Sequence, residues 1–455
     1  MFDIVGSLPL ELLAYVVKYL GPADIFQSRR VSKRWRTMFS SDTVMTAILR
    51  ETFAFLEGLD PVGISVTNVA IDDAMKFLRW RHALEHVRPV KTTFLPWPIH
   101  RIKGFPTLRY HSRRLCYPLI DDDKTQLETI NLETGERSIR DVSELGKLVC
   151  FALSDDYLVV KTMQDSGEHC TWRLTAWDMY TGKRLSHQLP DSGCRMFIFE
   201  DKVLIARDSK RRFYTRDTPI YVWELSANQV QEIGSFFNLI LCHIDAVDDT
   251  LVALDLNVDE WPPLVHQTKW RTTTRQLLDE KNFRLPVPVE PPVDAQEFDV
   301  DSWNTFGHRT VTQLFFDATH KYPTLHLEYD YLIDRLSVRL IQCAEPFSGS
   351  APTFSGSGYM SPNLVYHYTD QLAIYNANTG AVTLHQVWSH VSESKVVIAR
   401  VFGDRDVFGI ADWSGILLWV FNPTFVPMDI PECDCDECER LRQRIDSCNE
   451  DIDDF

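Results

Sequence analysis

A short motif that recurs along the chain constrains it more than any other feature. Residues 127–135, 174–182 and 372–380 each run through alternating apolar positions to an Asn or Asp (Asn131, Asp178, Asn376) and close on Thr-Gly. Alternation at period two is the mark of a half-buried strand. The Gly after Thr supplies the positive φ that a tight turn into a second strand demands. Two weaker copies, Tyr221-Val222-Trp223-Glu224 and Leu417-Leu418-Trp419-Val420, keep the strand without the Thr-Gly turn.

The aromatic or aliphatic marker of the motif stands at 130, 177, 223, 375 and 419, so successive copies are 47, 46, 152 and 44 residues apart. The long step holds three units of about 51, with two degenerate copies expected at 264–273 and 324–331; a period of about 40–50 residues is that of propeller blades. The spacing therefore predicts an all-β domain over residues 92–430, a seven-bladed β-propeller, with six or eight blades and a β-sandwich with chance turns as alternatives. Four-stranded blades cannot bury both faces alone and stack on their neighbours. Two interruptions are expected to be exposed: the Pro-rich stretch from Leu285 with its acidic continuation Val293 to Asp301, and the Ser/Gly-rich stretch Phe347 to Pro362.

Ahead of the β region the period changes. Leu12, Leu13, Val16, Val17 and Leu20 recur at helical spacing, giving one apolar face, with Ser7 as the N-cap, Pro9 in the first turn and Gly21-Pro22 as the stop. Ala23 to Val31 reads as a second helix, Ser32 caps a short basic third, and Ser41-Asp42 caps a fourth carrying Val44, Ala47, Ile48 and Leu49. These make a helical module over residues 1–55. A linker with a helix, residues 56–91, follows; its Arg79, Arg81, His82, Arg88 and Lys91 read as a solvated basic face. A core this small is marginal alone.

The run Leu8-Pro9-x-Glu11-Leu12-Leu13, then Tyr19-Leu20, Asp24-Ile25 and Val31-Ser32-Lys33-x-Trp35-Arg36 resembles the F-box motif. One departure stands at Asp42, which Thr43-Val44-Met45 follows where F-boxes often carry a Leu-Trp ending. The resemblance implies that the module binds the Skp adaptor and, through it, the cullin of an SCF-type ubiquitin ligase. Leu8, Pro9, Leu12, Leu13, Val16, Leu20, Ile25, Val31 and Trp35 are the adaptor-binding positions it implies. For Leu13, Val16 and Val31, packing in the module's own core stands level with contact.

The formal net charge of −17 opposes general phosphate-backbone binding. No apolar stretch reaches the ~18–20 residues of a membrane span. Met1 to Leu20 carries Asp3 and Glu11 without a basic leader, the wrong polarity for a secretory signal. Scattered single cysteines suit a reduced, intracellular setting, cytoplasm or nucleus. Residues 431–455 form an acidic tail, in which Cys433, Cys435, Cys438 and Cys448 could hold a zinc ion, although their spacing and acidic neighbours favour a tail without metal. No phosphate-cradling Gly-Lys loop, His-Glu-x-x-His helix or nucleophile elbow is present, so neither intrinsic catalysis nor a cofactor is expected. The leading expectation is a non-catalytic substrate receptor, its propeller binding an unknown protein target. Lys210, Arg211, Arg212 and Arg216, between two strand-like runs, would recruit an acidic or phosphorylated target if they are more than a solvated loop. A non-degradative adaptor-binding scaffold is the alternative, and an enzyme with a merely structural helical module a third.

Overall fold

The computed structural model describes residues 7–57, 71–86, 88–96, 108–121, 124–165, 170–189, 194–207, 218–236, 239–245, 248–257, 262–285, 299–300, 304–306, 309–315, 324–331, 334–341, 356–361, 364–368, 372–376, 382–385, 400–404, 406–411, 415–425 and 427. Five helices come first: α1 (Leu10–Val16), α2 (Pro22–Val31), α3 (Lys33–Met38), α4 (Asp42–Glu57) and α5 (Ile71–Glu85), with a 3₁₀ turn, Val17–Tyr19, continuing α1. Two expected boundaries move. Helix α1 opens at Leu10 with Pro9, not Ser7, at its edge, because a proline steers the residue before it away from helical backbone. Gly21 starts α2 instead of ending α1: its φ is an ordinary −71°, its N–H donates to Asp24 Oδ2 at 3.2 Å, and Pro22 takes the first helical position, where no N–H is needed. Ser32 caps α3 as expected, accepting from the Trp35 N–H at 3.1 Å.

Leu13, Val17, Ile25 and Phe39 meet Val44, Met45, Ile48 and Leu49 of α4 in one buried cluster. Despite the departure at Asp42, α4 gives this core more residues than any other helix. Leu78 of α5 joins it, and Phe26 of α2 meets His82 of α5 edge-on at 6.2 Å. The helix between the two domains is thus half of a packed pair, with only its outer face in water.

Beyond residue 90 the described strands form seven antiparallel sheets. Six are contiguous in sequence: residues 109–141, 147–189, 194–236, 239–284, 299–341 and 356–385. The last unites Arg400–Gly403, Val407–Ala411 and Gly415–Val420 with Lys91–Pro96, which returns from the other end of the chain to form its outer edge. Buried clusters join the first sheet to the second, the second to the third, the third to the fourth and the fourth to the fifth. Asn304–Phe306 neighbours Gly356–Ser361, which neighbours Arg400–Gly403, and a further cluster joins last sheet to first. A short helical region is therefore followed by an all-β propeller.

The motif markers Ile130, Trp177, Trp223, Tyr375 and Trp419 all fall on third strands. So do Trp270 and Tyr329, in the two segments expected to hold degenerate copies. The Thr-Gly turns have the expected geometry. Asn131 Oδ1 accepts from the Glu133 and Thr134 N–H groups, Asp178 Oδ1 from those of Tyr180 and Thr181, and Gly135 and Gly182 sit at φ 71° and 70°. The Ser/Gly-rich stretch is not all loop, because Gly356–Ser361 pairs with Leu364–Tyr368, whose aromatic and β-branched residues stabilise the ladder that Gly disfavours. Within the acidic stretch after 293, Asp299–Val300 pairs with Leu314 and Phe315; residues 286–298 lie outside the described set.

In each four-stranded antiparallel sheet the first and third turns fall at the same end. Those turns lock neighbouring sheets. Lys202 Nζ lies 2.8 Å from Asp249 Oδ1 between the third and fourth sheets. Burial pushes Asp249 up, but the Lys202 ammonium and the Thr272 and Thr273 donors hold it well below the usual carboxylate range. Between last and first sheets, Arg113 Nη2 lies 2.6 Å from Asp406 Oδ2, and the Tyr110 hydroxyl donates to Asp404 Oδ2 at 2.8 Å. Burial, aided by the Asp406 charge and opposed by the Tyr110 hydroxyl and two backbone N–H groups, pushes Asp404 up to about 6, against about 3.9 in an unfolded chain. Between those values the folded chain binds more protons, so this group's stabilisation is complete below about pH 4 and is lost as pH rises through about 6. Relative to the parent, Asp404→Asn should gain stability as pH is raised from about 4.5 to about 7. Thermal midpoints measured across that range check this, and a parent–variant difference that does not change with pH removes Asp404 as the cause.

Candidate functional site

Helix α1 is apolar almost all round, and the structure divides it. At about 100° per residue, Leu10, Leu13, Ala14 and Val17 turn into the module's core. Leu12, Tyr15, Val16 and Tyr19 lie on the opposite side, exposed by 53%, 58%, 40% and 74%, against 1% for Leu13. The single apolar face expected from Leu12, Leu13, Val16, Val17 and Leu20 is therefore two faces, since their dividing line passes between adjacent residues 12 and 13 and again between 16 and 17. Tyr15 and Tyr19 pack edge-on at 5.5 Å, the Tyr19 hydroxyl donates to that of Tyr15 at 3.1 Å, and Lys18 Nζ sits 5.7 Å from the Tyr15 ring centroid. The Tyr15 hydroxyl holds the Tyr19 phenol above its ordinary value, so Tyr19 stays neutral near pH 7. Aromatic rings with one polar atom suit a surface that is wet when free and buried when bound.

Of the nine positions marked by resemblance, Pro9, Leu12, Val16 and Val31 are exposed. Leu8, Leu20 and Trp35 are half-buried, the last two packed against the core, with Trp35 stacked on Phe39 at 6.2 Å. Leu13 and Ile25 are core. Tyr15 and Tyr19 were not among the nine; their spacing of three and seven residues from Leu12 is the signal that finds them. Exposed apolar residues at i, i+3, i+4 and i+7 on one short helix are what a partner's groove accepts.

Lys210, Arg211, Arg212 and Arg216 lie outside the described residues, as do Cys433, Cys435, Cys438 and Cys448. Among the described residues no group of three or more His, Cys, Asp or Glu side chains is placed to hold a metal ion, and no helix is long and apolar enough to cross a membrane.

Residues 6–45 match the family model of the F-box domain. The chain carries an F-box domain followed by a β-propeller. No curated protein is significantly similar to it. Among solved structures it is similar to the β-propeller domain of the Trilobed protease from Pyrococcus furiosus, with 12% identity, 72% of this chain and 100% of that one covered, and a TM-score of 0.42. It is similar also to the Pyrococcus horikoshii acylaminoacyl peptidase (9% identity, 61% and 45% covered, TM-score 0.36). An uncharacterized Listeria monocytogenes protein is comparable (11% identity, 64% and 97% covered, TM-score 0.34). This chain spans less than half of that peptidase, and its own fold rests on the sheet order above.

The two sides of α1 differ in what they contribute to stability. Leu13→Ala should cost the module about 2–5 kcal/mol, as expected for truncating a buried leucine. Leu12→Ala should stay within about 0.5 kcal/mol, as at most surface positions. Urea unfolding of the two variants measures this, and equal losses would show that the outer side is packed.

Proposed function

We propose that this protein is the substrate-recognition subunit of an SCF-type ubiquitin ligase. Its F-box binds a Skp-type adaptor and, through it, a cullin, and the propeller holds a protein target for ubiquitination. Each of the seven sheets is read as one blade. The observation that carries the reading is the exposed row Leu12, Tyr15, Val16 and Tyr19 inside a matched F-box domain. Val31 at the end of α2 and Pro9 before α1 are also exposed and extend it. Leu13 and Ile25 shape the docking surface from below without touching the partner. The receptor itself needs no catalytic group, because it acts by bringing target and transfer machinery together.

The closing strand supports the division of labour. Lys91 pairs with Val420 and Pro96 with Gly415, so the chain leaves the helical module at the end of the propeller that carries the first and third turns. The opposite end, where second and third strands connect, is left for the target. Lys210, Arg211, Arg212 and Arg216 belong to such a connection, between Lys202–Arg207 and Thr218–Glu224.

Replacing Leu12 and Val16 together with Asp should reduce capture of adaptor and cullin at least about tenfold, since two charges would be buried in an apolar contact. Circular dichroism and thermal unfolding check that the variant still folds. Undiminished capture by a folded variant overturns the reading, while adaptor capture without cullin in the parent chain favours the scaffold alternative. Charge reversal of Arg211 and Arg212 to Glu should lengthen target half-life in cells and leave adaptor capture unchanged. An unaltered half-life places recruitment elsewhere.

A further inference from the structure

The helical region is basic in an otherwise acidic chain. Residues 7–57 and 71–91 carry twelve Lys and Arg against eight Asp and Glu, while the whole chain has 47 against 64. Part of that charge is gathered. Phe26 and Arg29 of α2 meet His82 and Met75 of α5 in antiparallel order. Arg30 and Arg79 each lie four residues on from one of those contacts, about 40° round from Phe26 and from Met75, which puts both on the same side of the seam. Lys33 and Arg34 open α3, beyond the two residues that follow Arg30 across the α2–α3 junction. All four are exposed, and among the described residues none of them pairs with a carboxylate.

Residues 429–455 hold eleven Asp and Glu against three Arg, the densest negative charge in the chain. The origin of that segment is placed. The Val90 N–H donates to the Val420 carbonyl at 2.7 Å, so the last strand ends beside the residues that lead out of α5. Five residues later Phe425 is buried at the seam between the last and first sheets, with the Arg113 guanidinium 5.0 Å over its ring. Twenty-eight residues span at most about 95 Å, so the chain after residue 427 is long enough to reach the helical region.

We propose that the acidic C-terminal segment, residues 429–455, docks within the molecule on the basic surface that Arg30, Lys33 and Arg34 of the F-box form with Arg79 of α5, and there competes with the adaptor. Charge complementarity and the position of the segment's root select this occupant. The competition follows from Val31, which lies between Arg30 and Lys33 in sequence and is exposed by 62%: an acidic segment laid across these cations covers it. The competition rests on the adaptor-binding reading above, whereas the docking does not.

Amine acetylation of the full chain, read by mass spectrometry residue by residue, tests both parts. Three proteins are compared: the full chain, a chain ending after residue 427, and a full-length chain with Asp434, Asp436, Glu437 and Glu439 changed to Asn or Gln. Lys33 should be acetylated about fivefold faster in both variants, and faster in the parent at about 0.5 M salt, where charge attraction is screened. Lys147 and Lys183, on distant strands and turns, should not change. Equal Lys33 rates in all three proteins overturn the docking. So does protection that disappears on dilution, since it would belong to a second copy. Adaptor affinity should be several-fold higher for the two variants, and equal affinity overturns the competition. Lys33 protection in a chain that captures no adaptor at all upholds the docking and removes the ligase reading instead.

Discussion

The pairing of Lys91–Pro96 with Gly415–Val420 is the contact on which the rest of the molecule depends. Without it the last sheet has three strands and ends on Ile416, Leu417, Leu418 and Trp419, an apolar edge with unpaired backbone groups of the kind that recruits other chains. With it, the edge is covered by a strand whose next described residues, from 108, belong to the first sheet, so the two ends of a long β region are tied together. Leu95 from the closing strand then shares a buried cluster with Ile416, Leu418 and Val420 on one side and Leu108, Leu115 and Leu119 on the other. Hydrophobic burial and the Arg113–Asp406 pair act on the same seam. Closing so long a loop has an entropic cost that grows only slowly with length, which a full ladder plus a shared core can offset.

That contact also fixes where the F-box sits. The closing strand starts at Lys91, six residues after α5 ends at Glu85, and α5 is packed on α2 through Phe26 and His82. The helical region meets the propeller at the Val90–Val420 hydrogen bond, and α4 also contacts Gly356–Ser361 of the sixth sheet. A strand built into the ring restrains what precedes it more tightly than a flexible linker would.

Much of this was legible in the residues, and what was hidden was hidden for a physical reason. The Thr-Gly turn is easy to read where Gly135 and Gly182 provide the left-handed backbone. In the third, fourth and fifth sheets the left-handed residue before the fourth strand is Asn228, Arg275 or Asp334, at φ 52°, 57° and 47°. The Arg275 N–H closes the same five-residue turn on the Arg271 carbonyl, while Asn228 and Asp334 close tighter ones on Leu225 and Tyr331, each with a side chain that does not advertise it. In the fourth sheet the Asp249 carboxylate from a neighbouring turn accepts from the Thr273 N–H, a contact no local pattern encodes. The exposed row on α1 was half legible. Leu12 and Val16 were marked by family resemblance, but their periodicity merged with that of Leu13 and Val17, and only packing against α4 shows which residues the module keeps for itself.

The two-faced helix ties its exposed side closely to its buried one. Seven residues of α1 must bury Leu13 and, through the following turn, Val17, while holding Leu12, Tyr15 and Val16 out to water. A helix this short is not stable by its own hydrogen bonds, so its outer face exists only because α4 holds the inner one. Loss of the inner contacts would dissolve the exposed row as well as the core. The cation-rich α2–α3 junction beside it is subject to no such demand. Exposed Arg and Lys side chains there contribute little to folding.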